Sequence, residues 1–193
     1  LHPFVEDDAF TLVGDDGACP YFWPIGDRHI LLFFSHMSGG QYLLGDYDTG
    51  RDKFVVTNGG KFNFGASTPS AVHAPSATPD GKGGVIAIFN MNPGKPTQRW
   101  NQIMTLPRRL TVEGDVLSVE PAGDLQSLRE GFQHFEGVSL PANQEIVIDG
   151  VQGNAIELIA EIDCGAAPMV EMNVLRSPSR EEYTRIAFFR DRG

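Results

Sequence analysis

The chain has 193 residues, a formal net charge of −10 and a pI near 4.8. This acidic balance argues against nucleic acid and against an anionic membrane surface as partners, and it is compatible with a neutral ligand such as a sugar. No apolar run approaches the roughly 20 residues that span a bilayer. Cys19 and Cys164 are too few for a disulfide scaffold and too isolated for a zinc site, so we expect two free, buried thiols.

A stretch rich in glycine and proline, residues 14–26, precedes the strongest strand signal in the sequence. Its glycines and prolines predict a loop rather than one helix or one long strand. Aromatic faces stack on sugar C–H surfaces, and carboxylates bind hydroxyls or move protons, so acids beside aromatics make this loop a candidate carbohydrate site. The alternative is an acidic loop whose aromatic residues belong to the core. The side chains in question are Asp15, Asp16, Cys19, Tyr21 and Trp23.

Short apolar runs separated by turns predict an antiparallel meander after this loop. The run 29–35 predicts a strand buried on both faces, and 41–48 and 53–56 predict the next two strands. Residues 58–79 are rich in Gly, Ser, Pro and Thr, which favours a loop with one short strand near 72–74.

A second meander follows. Strands are predicted at 85–89 and 100–106, with a polar loop between them, and a hairpin is predicted over 110–119. Two similar meanders, each fed by a long polar loop, favour blades of a β-propeller, and a β-sandwich is the competing all-β interpretation.

The pattern changes after a single helical turn predicted at 123–130. Apolar and polar residues then alternate, which is typical of strands with one solvated face. These stretches predict the beginning of a β-sandwich, with a boundary between 122 and 135 that divides the chain into domains 1–128 and 129–193. The alternating stretches are 145–148, 155–162, 170–175 and 183–189.

Five motifs, in order along nearly the whole chain, match one enzyme family. They are Cys-Pro-Tyr-Phe-Trp-Pro at 19–24, Gln-Tyr-Leu-Leu-Gly-Asp-Tyr-Asp at 41–48, His-Ala-Pro-Ser at 73–76, Trp100 followed by Thr-Leu-Pro-Arg-Arg-Leu at 105–110, and Glu-Glu-Tyr-Thr at 181–184. On these residues the chain resembles glycoside hydrolase family 32, the β-fructofuranosidases.

The resemblance implies a five-bladed β-propeller followed by a β-sandwich, with this chain beginning in the middle of the propeller. It also implies a parent protein that hydrolyses β-fructosides such as sucrose, inulin or levan by the retaining route. In that route one carboxylate attacks the fructosyl carbon while a second carboxyl group protonates the leaving oxygen. The substrate-binding residues that it suggests are Cys19, Tyr21, Trp23, His73 and Trp100.

The chain departs from the family's catalytic pattern at two points. The segments that carry the nucleophile and a stabilising aspartate have no counterpart, and the Phe-Arg-Asp-Arg run at 189–192 is a chance match. The acid/base glutamate should precede Cys19, where this chain has Ala18. Asp16 is the nearest substitute, although an Asx turn is its plainer role. A mutation that traps substrate, or sugar binding without cleavage, would also account for Ala18.

The remaining expectations concern partners and location. We expect no cofactor, and no metal because the histidines lack ligand spacing. At least one of Arg108 and Arg109 is expected to be a structural ion pair or a surface charge. The expected partner is a fructose-containing saccharide, with a second chain or a missing segment that completes the propeller. An extracellular or periplasmic location is favoured over a cytoplasmic one.

Overall fold

A computed structural model describes residues 10–12, 14–62, 71–92 and 98–192. It confirms the all-β class: apart from one 3₁₀ turn at Gln126–Leu128, the regular elements of the described residues are β-strands. The chain divides into two compact units, Leu1–Leu125 (unit 1) and Gln126–Gly193 (unit 2). None of the described helical segments is long and apolar enough to cross a membrane.

Unit 1 begins with a four-stranded antiparallel sheet whose strands follow chain order. Tight turns join consecutive strands, as the meander pattern predicts. The strands are β1 (Ala18–Ile25), β2 (Arg28–Ser35), β3 (Gly39–Asp48) and β4 (Lys53–Lys61).

A second sheet of unit 1 repeats this arrangement with the order β5-β6-β8-β9, and the short β7 pairs with β6. Its strands are β5 (Ala71–Pro79), β6 (Val85–Asn92), β7 (Ile103–Met104), β8 (Arg108–Glu113) and β9 (Val116–Pro121). The predicted hairpin at 110–119 is confirmed by the pairing of β8 with β9.

The core of unit 1 lies on both sides of β2, as its continuous apolar run predicts. On one face Ile30 and Leu32 are fully buried and pack with residues of the second sheet, including Phe89 and Leu110. On the other face Phe33 belongs to a smaller cluster within the first sheet. Burying several such side chains contributes about 1.5–3 kcal/mol each relative to exposure.

The loop prediction for residues 14–26 is wrong for most of its length, because 18–25 form β1. Proline lacks a backbone donor and is tolerated in an edge strand, and β1 is the edge of its sheet. A β-bulge between Ala18 and Tyr21 further accommodates this sequence, with Cys19 at φ 51°.

Further strand predictions of unit 1 need correction. β4 runs to Lys61 and so includes residues 58–61 of the predicted loop. β5 spans nine residues rather than the predicted 72–74, because pairing along the whole of β6 outweighs its Pro, Ser and Thr content. The predicted strand 100–106 is reduced to β7, whose two residues pair with Asn90 and Met91. The parts of the predicted loops at 63–70 and 93–97 lie outside the described residues.

Unit 1 has two ends, which are defined here by the ends of β2. The Arg28 end contains the turns at Gly26 and Gly83, where the Gly26 N–H donates to the Gly83 carbonyl at 2.7 Å. The Asp16 end contains the loop 15–17, the turn 36–38 that follows β2, and the beginning of β5.

Unit 2 contains a two-stranded antiparallel sheet of β10 (Met169–Val174) and β11 (Thr184–Phe189), which confirms the last two predicted strands. The strands predicted at 145–148 and 155–162 do not form. Alternating apolar and polar residues give a segment one apolar face that can be buried. A strand also needs a neighbouring strand to pair with, and these segments have none among the described residues. No described residue of unit 2 is buried.

Candidate functional site

Asp15 is the centre of a hydrogen-bond network at the Asp16 end. Its Oδ1 accepts from the hydroxyls of Ser35, at 2.7 Å, and Ser38, and its Oδ2 accepts from the Leu12 N–H at 2.7 Å. Gln41 in turn donates to Ser38 at 2.5 Å. Burial alone would raise the pKa of Asp15, but the bonds from Ser38, Leu12 and Ser35 outweigh it and lower the pKa to about 2. Asp15 is therefore a fixed, ionised acceptor that holds the β2–β3 turn.

Asp16 binds His36 with both carboxylate oxygens. Oδ1 accepts from the backbone N–H of His36 at 2.8 Å, and Oδ2 lies 2.6 Å from its Nδ1. The backbone bond and then the side-chain bond lower the pKa of Asp16. The side chains are 48% and 72% exposed respectively, so this pair faces solvent.

The aromatic ring of Phe34 connects this pair to the second sheet. Its centroid lies 4.9 Å from the ring of His36 and 4.7 Å from the ring of His73 on β5. The Nε2 atom of His73 is buried and has no hydrogen-bond partner among the described residues. The predicted residues Asp16 and His73 are thus brought to one end of unit 1, with the rings of His36 and Phe34 between them.

Ala18 occupies the position beside this group. It pairs directly with Phe34, and directly opposite residues of antiparallel strands project from the same face. Cys19 follows in the bulge as an exposed free thiol, and Cys164 is half-buried, so the expectation of buried thiols is wrong although both are free.

Tyr21 and Trp23 lie farther along β1, at the seam between the two sheets. The Trp23 indole N–H donates to the Ala77 carbonyl of β5 at 3.2 Å, which ties the sheets together. Tyr21 lines an open, largely apolar pocket of about 270 Å³ together with Ser76, Ala77, Thr78, Ile86 and Ile88. Both aromatic residues pack against the core, so Tyr21 contacts the core and also lines the pocket.

Trp100 is half exposed and precedes β7. Met104 of β7 pairs with Asn90, which is also the strand partner of His73. Trp100 therefore belongs to the same end of the second sheet as His73. Of the two roles predicted for Arg108 and Arg109, Arg109 has the first: it forms an ion pair, with its Nε 2.8 Å from Asp80.

The chemistry available at the Asp16 end is hydrogen-bond acceptance and proton transfer by imidazole. Asp15 and Asp16 are both held in the ionised form, which suits acceptors of sugar hydroxyls and not a carboxylic acid that gives up a proton. Within the described ranges, no group of three His, Cys, Asp or Glu side chains could hold a metal ion.

Sequence reasoning did not identify His36, Ser35, Ser38 or Gln41 as parts of this end. Asp16 and His36 are 20 residues apart. Only the register of β1 on β2 brings them together, since Ala18 pairs with Phe34 and each partner lies two residues farther out. The only hint in the sequence is the short turn after β2, which holds His36 and Ser38 and could be expected to lie near the end of β1.

No protein-family model matches the chain, and no curated protein matches it. Solved structures, in contrast, match part of the chain. A glycoside hydrolase family 32 β-fructofuranosidase of Bombyx mori (BmSUC1) superposes with a TM-score of 0.50 at 20% identity. A mutant of that enzyme in complex with sucrose gives the same values. This chain has a glycoside hydrolase family 32-like fold.

The likeness is partial in extent. It covers 61% of this chain and 28% of the Bombyx mori enzyme, so the chain matches less than a third of that enzyme's length. At this identity the likeness describes the fold, and activity and substrate need their own argument.

Proposed function

We propose that the protein is a glycoside hydrolase that acts on β-fructosides of the sucrose, inulin or levan type, and that in its full-length form it uses the retaining route. In unit 1 the Asp16 end and the adjoining seam bind the saccharide. The observation that carries this proposal is that His36, which contacts Asp16, and His73 both lie against Phe34, the strand partner of Ala18, in a chain with this fold.

The side chains of this region suit a sugar. The Asp16 carboxylate accepts hydroxyl hydrogen bonds, while Tyr21 offers an aromatic face for sugar C–H groups in an open pocket. The net charge of −10 is compatible with such a neutral ligand.

A second candidate function is carbohydrate binding without cleavage. Ala18 cannot transfer a proton, and both nearby carboxylates are held ionised. General acid–base help is worth about 10²- to 10⁴-fold, so a site without any proton donor would bind far better than it cleaves.

Two measurements on the full-length protein separate these functions. Fructose release from sucrose, inulin and levan tests hydrolysis, and calorimetric titration with fructo-oligosaccharides tests binding. Release supports the hydrolase, binding without release supports the second candidate, and neither signal overturns both.

A variant locates the saccharide on unit 1. Tyr21→Ala should raise the Kd for fructo-oligosaccharides roughly tenfold, because it removes the aromatic face of the pocket. Tyr183→Ala, at a half-exposed tyrosine of unit 2, is the matched control and should leave the Kd unchanged. Equal effects of the two substitutions would place the saccharide elsewhere.

A further inference from the structure

We propose that His36 is the proton donor of this site, held by Asp16 as its positioning residue, in place of the carboxyl group that Ala18 lacks. This inference rests on the proposed hydrolysis of β-fructosides. It assigns the acid role to an imidazole.

The hydrogen bond to Asp16 decides which ring nitrogen exchanges the proton. An ionised carboxylate only accepts, so the short contact at 2.6 Å places a hydrogen on Nδ1. Nε2 is then the nitrogen that gains and loses the second proton, and none of the described residues bonds it. Histidine is also the side chain whose charge changes between about pH 5 and 8, which suits a general acid near neutrality.

The position of the ring is the second argument. Phe34 and His36 are two residues apart on one strand end and their rings touch, so they share a face. Ala18 projects from this face too, since it pairs with Phe34. His36 is therefore displaced from the Ala18 position by two residues along the ladder, roughly 7 Å at about 3.3 Å per residue. A side chain that is 72% exposed can cover part of that distance by rotation or meet a saccharide bound there.

The acid step balances without a further reagent. The bond between the fructosyl carbon and the leaving oxygen breaks, its electron pair goes to that oxygen, and the oxygen takes the proton from Nε2. An ionised carboxylate, the nucleophile of the retaining route, bonds the fructosyl carbon. Neutral His36 then removes a proton from a water whose oxygen bonds the fructosyl carbon. The bond from that carbon to the carboxylate breaks, its electron pair returns to the carboxylate, and His36 is again an imidazolium.

The titratable groups nearest the His36 ring lie on the preceding loop and on β5. Asp16 on the preceding loop is the charged group that touches it, while Asp15 beside it is occupied by Ser35 and Ser38. On β5, His73 lies across the Phe34 ring. Asp16 is therefore the charged group that orients the His36 ring for proton transfer.

The decisive experiment compares leaving groups in the full-length protein. His36→Gln should lower fructose release from sucrose by about 10²- to 10⁴-fold, because the leaving alkoxide needs a proton. The same variant should lose less than tenfold on a nitrophenyl β-fructoside, whose leaving phenolate needs none. His134→Gln is the matched control, since His134 makes a comparable exposed contact with Glu136 at 2.8 Å, and it should leave both rates unchanged.

A nitrogen-detected NMR titration of His36 gives a readout that does not depend on activity. The neutral ring should carry its hydrogen on Nδ1 in the wild type and on Nε2 in Asp16→Asn, whose amide can donate to Nδ1. An Nε2–H ring in the wild type, or equal losses on both substrates in His36→Gln, would overturn the assignment while leaving hydrolysis intact. Absence of fructose release from the wild type would instead overturn the proposed function and, with it, this role.

Discussion

The two ends of β2 hold carboxylates in opposite ways. At the Arg28 end, the guanidinium of Arg28 bonds Asp46 at 3.3 Å and also Asp115, which joins the first sheet to the β8–β9 turn of the second. At the Asp16 end, Asp15 and Asp16 are held by hydroxyls, backbone N–H groups and an imidazole, and none of the described Lys or Arg side chains pairs with them.

This difference indicates a structural role for the Arg28 end and a chemical role for the Asp16 end. Burial alone would lower the pKa of Arg28, but Asp115 and Asp46 raise it, so the Arg28 end stays charged and fixed at all ordinary pH values. The Asp16 end contains an exposed imidazole, that of His36, which contacts Asp16. Changes at the Arg28 end should therefore alter stability, and changes at the Asp16 end should alter binding, rate and pH dependence.

Two glycines of β3 offer the largest test of this contrast. At the Arg28 end, a Cβ on Gly45 would overlap the backbone of Val55 and lie 2.9 Å from Cα of Val56. Gly45→Ala should lower the free energy of unfolding by about 3 kcal/mol, because backbone atoms must move. At the Asp16 end, a Cβ on Gly40 would lie 3.3 Å from the Val72 carbonyl oxygen.

Gly40→Ala is thus the matched control for Gly45→Ala, and urea unfolding measures both. Its loss should be near 1 kcal/mol, since a shift of a few tenths of an ångström relieves the contact. Equal losses of unfolding free energy in the two variants would show that both ends of β2 tolerate an added Cβ equally well, which would contradict the proposed difference between them.

Arg28→Met should produce the next largest effect. The change keeps much of the apolar stem and removes the bonds to Asp46, Asp115 and the Gly114 carbonyl. Both carboxylates are more than 60% exposed and return to water, so screening limits the loss of unfolding free energy to about 1–2 kcal/mol. The Kd for fructo-oligosaccharides should not change, and a weakened Kd would contradict a purely structural Arg28 end.

Asp15→Asn should have the smallest effect at neutral pH and a distinct one in acid. The folded-state pKa of about 2 lies below the ordinary value near 4, so the ionised Asp15 contributes stability above about pH 4 that is lost as pH falls to about 2. Asparagine still accepts from Ser35 or Ser38, so we expect a loss near 1 kcal/mol at pH 7.

The Asp15→Asn loss should shrink as pH falls from 4 to 2, because protonation removes the same charge from the wild type. Thermal unfolding across this range measures it, with Asp163→Asn in unit 2 as a control on an exposed carboxylate. A pH-independent difference between wild type and Asp15→Asn would refute the ionised network.

Much of unit 1 could be predicted from local pattern. The run 29–35 has no polar interruption and gave β2, and the turn residues around 49–52 and 113–115 placed the hairpins that follow. The prolines of β1 and β5 argue against strands, so the sequence predicts a loop in place of β1 and only three residues of β5. In the structure, β1 forms at a sheet edge, where proline is tolerated, and β5 forms because it pairs along the whole of β6.

The candidate site was predictable only in part. Asp16 and His73 were identified from residue type and family resemblance, but the partner of Asp16 depends on strand register, which no short stretch of sequence contains. In unit 2, apolar and polar residues alternate over 155–162 as in a strand, yet no strand forms there. Alternation is a property of one segment, whereas a strand needs a second segment to pair with.

The bulge in β1 has a consequence for the whole Asp16 end. Cys19 and Pro20 together stand opposite Phe33 alone, so Ala18 and Tyr21, three positions apart, emerge on the same side of the sheet. Deleting one residue here would shift the phase of everything before it, because side chains alternate with a period of two. A chain shortened in this way would retain every acid and every ring, but its carboxylates would point away from the histidines.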